Sequence, residues 1–444
     1  MQTNLSPIQK LLIGFVLLAL LGAGLLTLPI ANHQGEWQPF VDALFMSTSA
    51  VTTTGLGVVS TGSYYNLFGQ IIILLLFQVG GLGYMTLLVF LIHLLGQSIS
   101  LRNSTVMEES LALPSRGEMG VFVRHVVWFT ILFEGIGAAA LAIFWLQEYP
   151  FWQALYLGIF HSISSFCTAG FALFENGFTP YQDSWAFNII INLISTAGAV
   201  GFFVLAESYS VMQKLKQRLP IRAISVHSKL AIWVTSLLIT MGTLILYLAE
   251  FDRTLSWDQQ LLRSSFQAIS AASTTGFNTV DLGQLQPVSQ FILSTLMFIG
   301  SPAGGTGGGI KSTTLGVLLL FLWSVLRSQR DVNVFGKRLS NSTLIKSVSI
   351  ALTAMLWLVF AIMVMTVTET AVPFITIVFE ASSALGTVGL STGLTPELST
   401  IGRIIITISM MIGRVGPLAF AVSLFGNQNR TTLYRHPREE VFVG

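Results

Sequence analysis

Long apolar runs alternate with short breaks rich in Ser, Thr and Gly, and the alternation repeats four times along the 444 residues. Runs at 11–30, 68–95, 121–146, 186–212, 230–248, 291–326, 345–367 and 401–425 are long enough to cross a hydrocarbon core, which takes roughly 20 residues. Between the members of each pair lies a shorter apolar run, at 40–58, 151–171, 257–277 and 372–390. These are too short and too polar at one end to cross, and they predict re-entrant helices that enter and leave on one side. Each breaks at a corner of small residues: Thr-Thr-Gly at 53–55, Thr-Ala-Gly at 168–170, Thr-Thr-Gly at 274–276 and Thr-Val-Gly at 387–389. The glycines Gly55, Gly170, Gly276 and Gly389 stand 115, 106 and 113 residues apart.

Composition settles the solvent. Hydrophobic residues make up 52% of the chain and charged residues 9%, against roughly 25% charged in soluble domains, so most of the chain must face lipid or protein and not water. The chain is read as an all-α integral membrane protein. It has four helix–pore loop–helix repeats around a central pore with pseudo-fourfold symmetry. The repeats occupy 1–100, 101–220, 221–335 and 336–430, followed by a tail at 431–444. The first apolar run is longer than a signal peptide's and has no small-residue cleavage site after it, so it is expected to be retained. A net charge of +2 gives no case for nucleic acid, and the single cysteine, Cys167, excludes an intramolecular disulfide.

The charges orient the chain. Of 22 Lys and Arg, 17 lie in five segments around Lys10, Arg102–Arg124, Lys214–Lys229, Arg327–Lys346 and Arg430–Arg438. Connections carrying Glu36, Asp42, Glu148, Asp183, Asp252 and Glu397 alternate with them. The positive-inside rule places the basic segments and both termini in the cytoplasm, with the four corners opening to the outside. The acidic connections are expected to concentrate cations at the mouth. Each repeat crosses an even number of times, so all four enter with one polarity and are related by an axis along the membrane normal.

Backbone carbonyls gathered on such an axis can replace a cation's hydration shell without a buried fixed charge. Glycine tolerates the dihedrals that turn a carbonyl inward and keeps the lumen clear. The expected filter is Thr53, Thr54 and Gly55; Thr168, Ala169 and Gly170; Thr274, Thr275 and Gly276; and Thr387, Val388 and Gly389, with potassium as the ion held by their carbonyls. The bland alternative for any one corner is a glycine turn ending a packed helix; four in register make that a poor account of the set.

A second stretch, 300–314, interrupts the last long run of the third repeat with Gly304, Gly305, Thr306, Gly307, Gly308 and Gly309, followed by Ile310 and Lys311. The Gly-Lys-Ser/Thr pattern of a phosphate loop fails at Ile310. The stretch is read as a gate across the pore, against the alternative of a filled helix kink. Lys311 would oppose cations in the inner cavity or snorkel to the cytoplasmic face. Arg414, inside an apolar run, needs interior partners. It is expected to reach carbonyls of the glycine loop, or to anchor helices through carbonyls or a carboxylate such as Glu380. Glu134 is an interhelical hydrogen-bonding candidate, and Glu207 is expected to be solvated near a helix end. No Ser/His/Asp or Cys/His arrangement suggests hydrolysis, so the chain is not read as an enzyme.

The repeats, the Thr-Thr-Gly corners, the Gly-Ser-Pro-Ala-Gly-Gly-Thr-Gly-Gly-Gly-Ile-Lys stretch at 300–311 and Gly-Arg-Val-Gly-Pro at 413–417 together resemble the Trk/Ktr/HKT potassium transporter superfamily over essentially the whole chain. Among its branches the chain looks most like the membrane subunit of bacterial Ktr systems. The resemblance implies a protein of the bacterial inner (plasma) membrane that forms homodimers, each protomer with its own pore. It implies a cytoplasmic KtrA-type regulatory ring that binds ATP or ADP, and uptake stimulated by sodium. No cofactor is expected in this chain itself. A tightly coupled sodium–potassium symporter is the alternative. One departure is visible: the second corner commonly reads Phe-Asn-Asn-Ala-Gly-Phe, and here it is Phe-Cys-Thr-Ala-Gly-Phe at 166–171. The support behind that corner must therefore differ.

Overall fold

A computed structural model describes residues 7–83, 119–219 and 224–425. The far end of the 68–95 run, the basic residues Arg102, Arg116 and Arg222, and the tail at 431–444 lie outside the described residues. Those described are mostly helical; their β structure is one small antiparallel hairpin, Asn333–Val334 with Lys337–Arg338, and an isolated bridge between Asn32 and Tyr65.

Four helices have the length and apolarity of membrane spans: Ile8–Leu26, Phe122–Trp145, Val226–Ala249 and Asn341–Thr368. Each precedes one short helix: Phe40–Val51, Phe151–Phe166, Trp257–Ala272 and Phe374–Gly386. At about 1.5 Å per residue none of the short helices reaches across a core of about 30 Å. Local chemistry sets their starts. Three begin directly after a proline (Pro39, Pro150, Pro373), which cannot continue a helix backwards; the other begins with a Ser256–Gln259 capping box. A second helix follows each corner: Leu67–Leu82, Trp185–Ala199, Pro287–Ile299 and Thr400–Val415.

Two expected single spans are broken. The 186–212 run is Trp185–Ala199 and Phe202–Lys216, bent by 99°, and the 401–425 run is Thr400–Val415 and Pro417–Phe425, bent by 100°. The bends fall at Gly201 and Gly416, with φ of 103° and 98°, and Pro417 follows the second. A run of apolar residues predicts burial in lipid but cannot show a one-residue reversal of the backbone.

The repeats close into a ring. The second helix of each packs on the short helix of the next: Leu67–Leu82 on Phe151–Phe166, Trp185–Ala199 on Trp257–Ala272, and Pro287–Ile299 on Phe374–Gly386. Thr400–Val415 on Phe40–Val51 completes the circuit. Ion pairs lock two of the seams, Arg403 with Asp42 and Arg263 with Asp183 (2.9 Å). Asp42 lies in the first turn of its helix, where negative charge is stabilised by the dipole. These two acids are therefore seam partners and not free charges at a mouth.

Within three of the repeats the second helix also packs closely on its own short helix, because glycines meet carbonyls there. A methyl at residue 80 would lie on the Val51 carbonyl, one at residue 198 on the Phe166 carbonyl, and one at residue 413 on the Leu385 carbonyl. All three carbonyls belong to the last turns of short helices. Overpacking of this kind costs about 1–3 kcal/mol. Gly80→Ala and Gly198→Ala are expected to lower the thermal midpoint of the purified protein in detergent. Gly24→Ala, where the added methyl meets nothing within 4 Å, is expected to leave it unchanged.

Candidate functional site

Each short helix ends in the same backbone manoeuvre. Thr53, Thr168, Thr274 and Thr387 adopt left-handed conformations, with φ of 53°, 50°, 57° and 49°. That region is unfavourable for β-branched residues, and strain of this kind collects at functional sites. The next N–H, of Thr54, Ala169, Thr275 or Val388, donates back to the carbonyl of Ser49, Ser164, Ser270 or Ser383, at 2.8, 2.8, 2.9 and 2.9 Å. The glycine then takes φ of 91°, 69°, 85° or 99°. The carbonyl just before it is thus turned away from the helix that precedes it.

The corners meet one another in chain order. A methyl at residue 55 would lie 2.5 Å from the Ala169 carbonyl oxygen, and one at residue 170 would lie 2.7 Å from that of Thr275. One at residue 276 would fall on the Val388 oxygen, and one at residue 389 on the Thr54 oxygen. The carbonyls of Thr54, Ala169, Thr275 and Val388 therefore form a closed ring in which each faces the glycine of a neighbouring corner. The two residues before each corner glycine are buried, as is Gly276, while Gly55, Gly170 and Gly389 are partly exposed. A ring of neutral oxygens with no fixed charge is a ligand set for a partly dehydrated monovalent cation.

Sequence reasoning missed what stands behind the ring. A serine lies six residues before every glycine: Ser49, Ser164, Ser270 and Ser383. In the first and fourth corners its hydroxyl accepts from the glycine N–H, Gly55 at 3.0 Å and Gly389 at 3.1 Å. In the second and third it donates to the carbonyl of Phe171 at 2.9 Å and Phe277 at 2.7 Å. The constant spacing was the available signal, hidden because serine is common and the helices around it are apolar.

The glycine stretch packs against the ends of three short helices, at Phe166, Thr168, Thr274 and Thr387. Thr306 is its hub. Its N–H donates to the Gly198 carbonyl at 3.2 Å, and its hydroxyl donates to the Phe166 carbonyl at 3.0 Å and lies 3.1 Å from the Thr168 hydroxyl. Its carbonyl accepts from Arg414. A methyl at Gly307 would fall on the Thr274 hydroxyl, and one at Gly308 on that of Thr387. Gly304 accepts from the Phe202 N–H at 2.9 Å, while Gly305 and Gly309 pack on Ala199 and Gly300.

Arg414 does both things expected of it through carbonyls and neither through a carboxylate. Its guanidinium forks between the Thr306 carbonyl and those of Gly80 and Gly81, joining the glycine stretch to the first repeat. Glu380 is not its partner: that carboxylate is occupied by Ser391, Thr392 and Thr395. Lys311 does not snorkel away; its ammonium bends back to the Gly307 carbonyl. Glu134 makes the interhelical bond expected of it, accepting from Gln78 Nε2 at 3.0 Å. Cys167 Sγ sits 3.2 Å from Gln78 Oε1, so a thiol, an amide and a carboxyl stand behind the second corner. Glu207 is not merely solvated: it accepts from Ser225 N–H and hydroxyl at 2.8 Å and from the Ser228 hydroxyl, capping the helix Val226–Ala249.

Comparison with known proteins adds the family. Residues 15–429 match the family model TrkH, described as a cation transport protein. The Ktr system potassium uptake protein B of Bacillus subtilis is 36% identical, over 99% of this chain and 97% of its own length. The potassium/sodium uptake protein NtpJ of Enterococcus hirae is 33% identical, over 99% of this chain and 98% of its own. The crystal structure of the potassium transporter TrkH from Vibrio parahaemolyticus shares the fold, with a TM-score of 0.75 at 19% identity, covering 96% of this chain and 86% of that one.

Proposed function

The chain belongs to the TrkH family of cation transport proteins, and from that premise we propose that it takes up potassium through a pore on the axis of the four corners. The observation that carries this is the closed ring of the Thr54, Ala169, Thr275 and Val388 carbonyls. Neutral oxygens held at fixed radius discriminate by the cost of stripping water from the ion, which is lower for potassium than for sodium. Glycine at the four positions leaves the lumen clear, and the helix C-termini that lead into the corners add partial negative charge. The filter so formed comprises Thr53 to Gly55, Thr168 to Gly170, Thr274 to Gly276 and Thr387 to Gly389.

Beneath it, the stretch Gly304 to Gly309 with Lys311 acts as the gate, held by Arg414. Glycine gives this segment backbone freedom to change conformation. The basic segments and both termini face the cytoplasm of a bacterial cell, and the corners open outward. Two copies assemble on a cytoplasmic KtrA-type regulatory ring whose ATP or ADP occupancy moves the gate, and sodium stimulates uptake.

A tightly coupled sodium–potassium symporter is the second reading, favoured by the potassium/sodium name of the Enterococcus hirae relative. Rubidium uptake into potassium-loaded liposomes containing the purified chain separates them. Uptake driven by the ion gradient with no sodium present, and merely accelerated by sodium, is the expected result. An absolute sodium requirement with a fixed ion ratio would replace the pore with a carrier.

A further inference from the structure

The four corners carry a second pair of periodic positions, one before and one after the glycine. Nine residues before each glycine stand Met46, His161, Gln267 and Glu380, and three residues after it stand Val58, Leu173, Thr279 and Thr392. The first set is buried in every repeat, at 0%, 0%, 2% and 0% exposure. In three repeats the two positions are tied across the corner. His161 Nε2 accepts from the Leu173 N–H at 3.1 Å, while Nδ1 faces the Leu157 carbonyl at 2.8 Å. Gln267 Nε2 donates to the Thr279 hydroxyl at 3.0 Å. Glu380 Oε1 accepts from the Thr392 N–H at 3.2 Å and from the Ser391 hydroxyl, and its Oε2 accepts from the Thr395 hydroxyl at 3.0 Å. In the first repeat only the Met46 thioether packs against the turn, near Gly57.

The same twelve-residue tie thus recurs with an imidazole, an amide and a carboxylate. It pins the limb that leaves each glycine to the helix that leads into it, so the glycine carbonyls cannot rotate freely about the corner. The ties are unequal. The fourth joins one carboxyl group to three donors, whereas the second and third each make a single bond between the two positions. Across the ring's seam the first corner has no polar tie between these two positions, which are Met46 and Val58. The fourth corner also differs in being the neighbour whose Gly389 abuts the Thr54 carbonyl of that untied corner.

We propose that Glu380 is a specificity-determining positioning residue: by fastening Ser391, Thr392 and Thr395 it holds the fourth corner, and through it the first, at the radius that favours potassium over sodium. The role rests on the filter reading above. It does not require Glu380 to touch the ion.

The test is potassium and sodium uptake by the full-length protein in a potassium-uptake-deficient bacterium, with membrane protein levels measured in parallel. Glu380→Gln, which keeps one acceptor oxygen but turns an NH2 toward the Thr395 hydroxyl, is expected to lower the potassium-over-sodium preference roughly tenfold at normal protein level. Glu369→Gln is the control. Glu369 is another buried carboxylate of the same repeat that accepts from Ser399 and holds the start of Thr400–Val415, not the limb, so preference should not move. Should Glu380→Gln fail to insert, the pair Ser391→Ala with Thr395→Val removes the two hydroxyl donors from the other end, leaving only the Thr392 N–H, and is expected to give the same loss. Either variant present at wild-type level with unchanged preference overturns the proposal. Gly389→Ser run alongside separates the two layers: if it loses preference and the Glu380 variants do not, only the tie is wrong. If neither changes, the filter itself falls and the tie with it.

Discussion

Gly389→Ser and Gly55→Ser are expected to lower the preference for potassium over sodium by about tenfold or more, a change of about 1.4 kcal/mol in relative barrier height. Two effects act together at residue 389. Its φ of 99° lies where L side chains rarely go, at a cost of about 1–3 kcal/mol. Its new methylene would fall on the Thr54 carbonyl oxygen and 3.0 Å from the Gly55 α-carbon. The backbone must shift, and the atom displaced is one of the four ring oxygens. At residue 55 the added carbon meets the Ala169 oxygen at 2.5 Å, a different member of the same ring. Gly35→Ser isolates the dihedral cost, because Gly35 has a φ of 69° with nothing within 4 Å of an added carbon. It should change stability slightly and preference not at all. Uptake competition between potassium and sodium reads all three. Unchanged preference in well-inserted Gly389→Ser and Gly55→Ser protein would reduce the corners to turns.

The second large effect concerns rate. Arg414→Lys is expected to raise maximal potassium uptake several-fold while leaving preference unchanged. Arginine spans the Thr306 carbonyl and the Gly80–Gly81 pair because its donors form a rigid planar fork. Lysine offers one compact charge and can satisfy one side only. A lost charge-assisted hydrogen bond is worth about 1.5–3 kcal/mol, enough to shift the seating of a short loop. Arg414→Gln should act in the same direction with less protein in the membrane, since it leaves buried carbonyls short of donors. A fall in rate accompanied by loss of preference would show instead that Arg414 props the ring and does not restrain the loop.

Much of this architecture is legible in the chain. Apolar runs, short helices behind Pro39, Pro150 and Pro373, and Thr-x-Gly corners at near-regular intervals are local patterns, and each follows from propensity, burial and chirality. Arg414 inside an apolar run announces a need for interior carbonyls. Glu134 likewise announces a polar partner, though not that the partner is Gln78. The two 100° bends were not legible, because Gly201 and Gly416 look like the many other glycines of these helices. Nor was the serine set: Ser49, Ser164, Ser270 and Ser383 acquire meaning only once their hydroxyls are seen on the backs of the corners.

By itself, then, the order of residues determined a lipid-embedded helical chain with four strained glycine corners, one glycine-rich break and one buried arginine. Each of these is a property of a segment, written in hydrophobicity and backbone preference over a few residues. Tertiary structure alone decided that the corners close in the cyclic order Gly55, Gly170, Gly276, Gly389, that Asp42 and Asp183 are spent on Arg403 and Arg263, and that Glu380 serves the limb beyond Gly389 and not Arg414. Those pairings join atoms far apart in the chain. Their energies depend on distances of a few ångströms that no local pattern encodes.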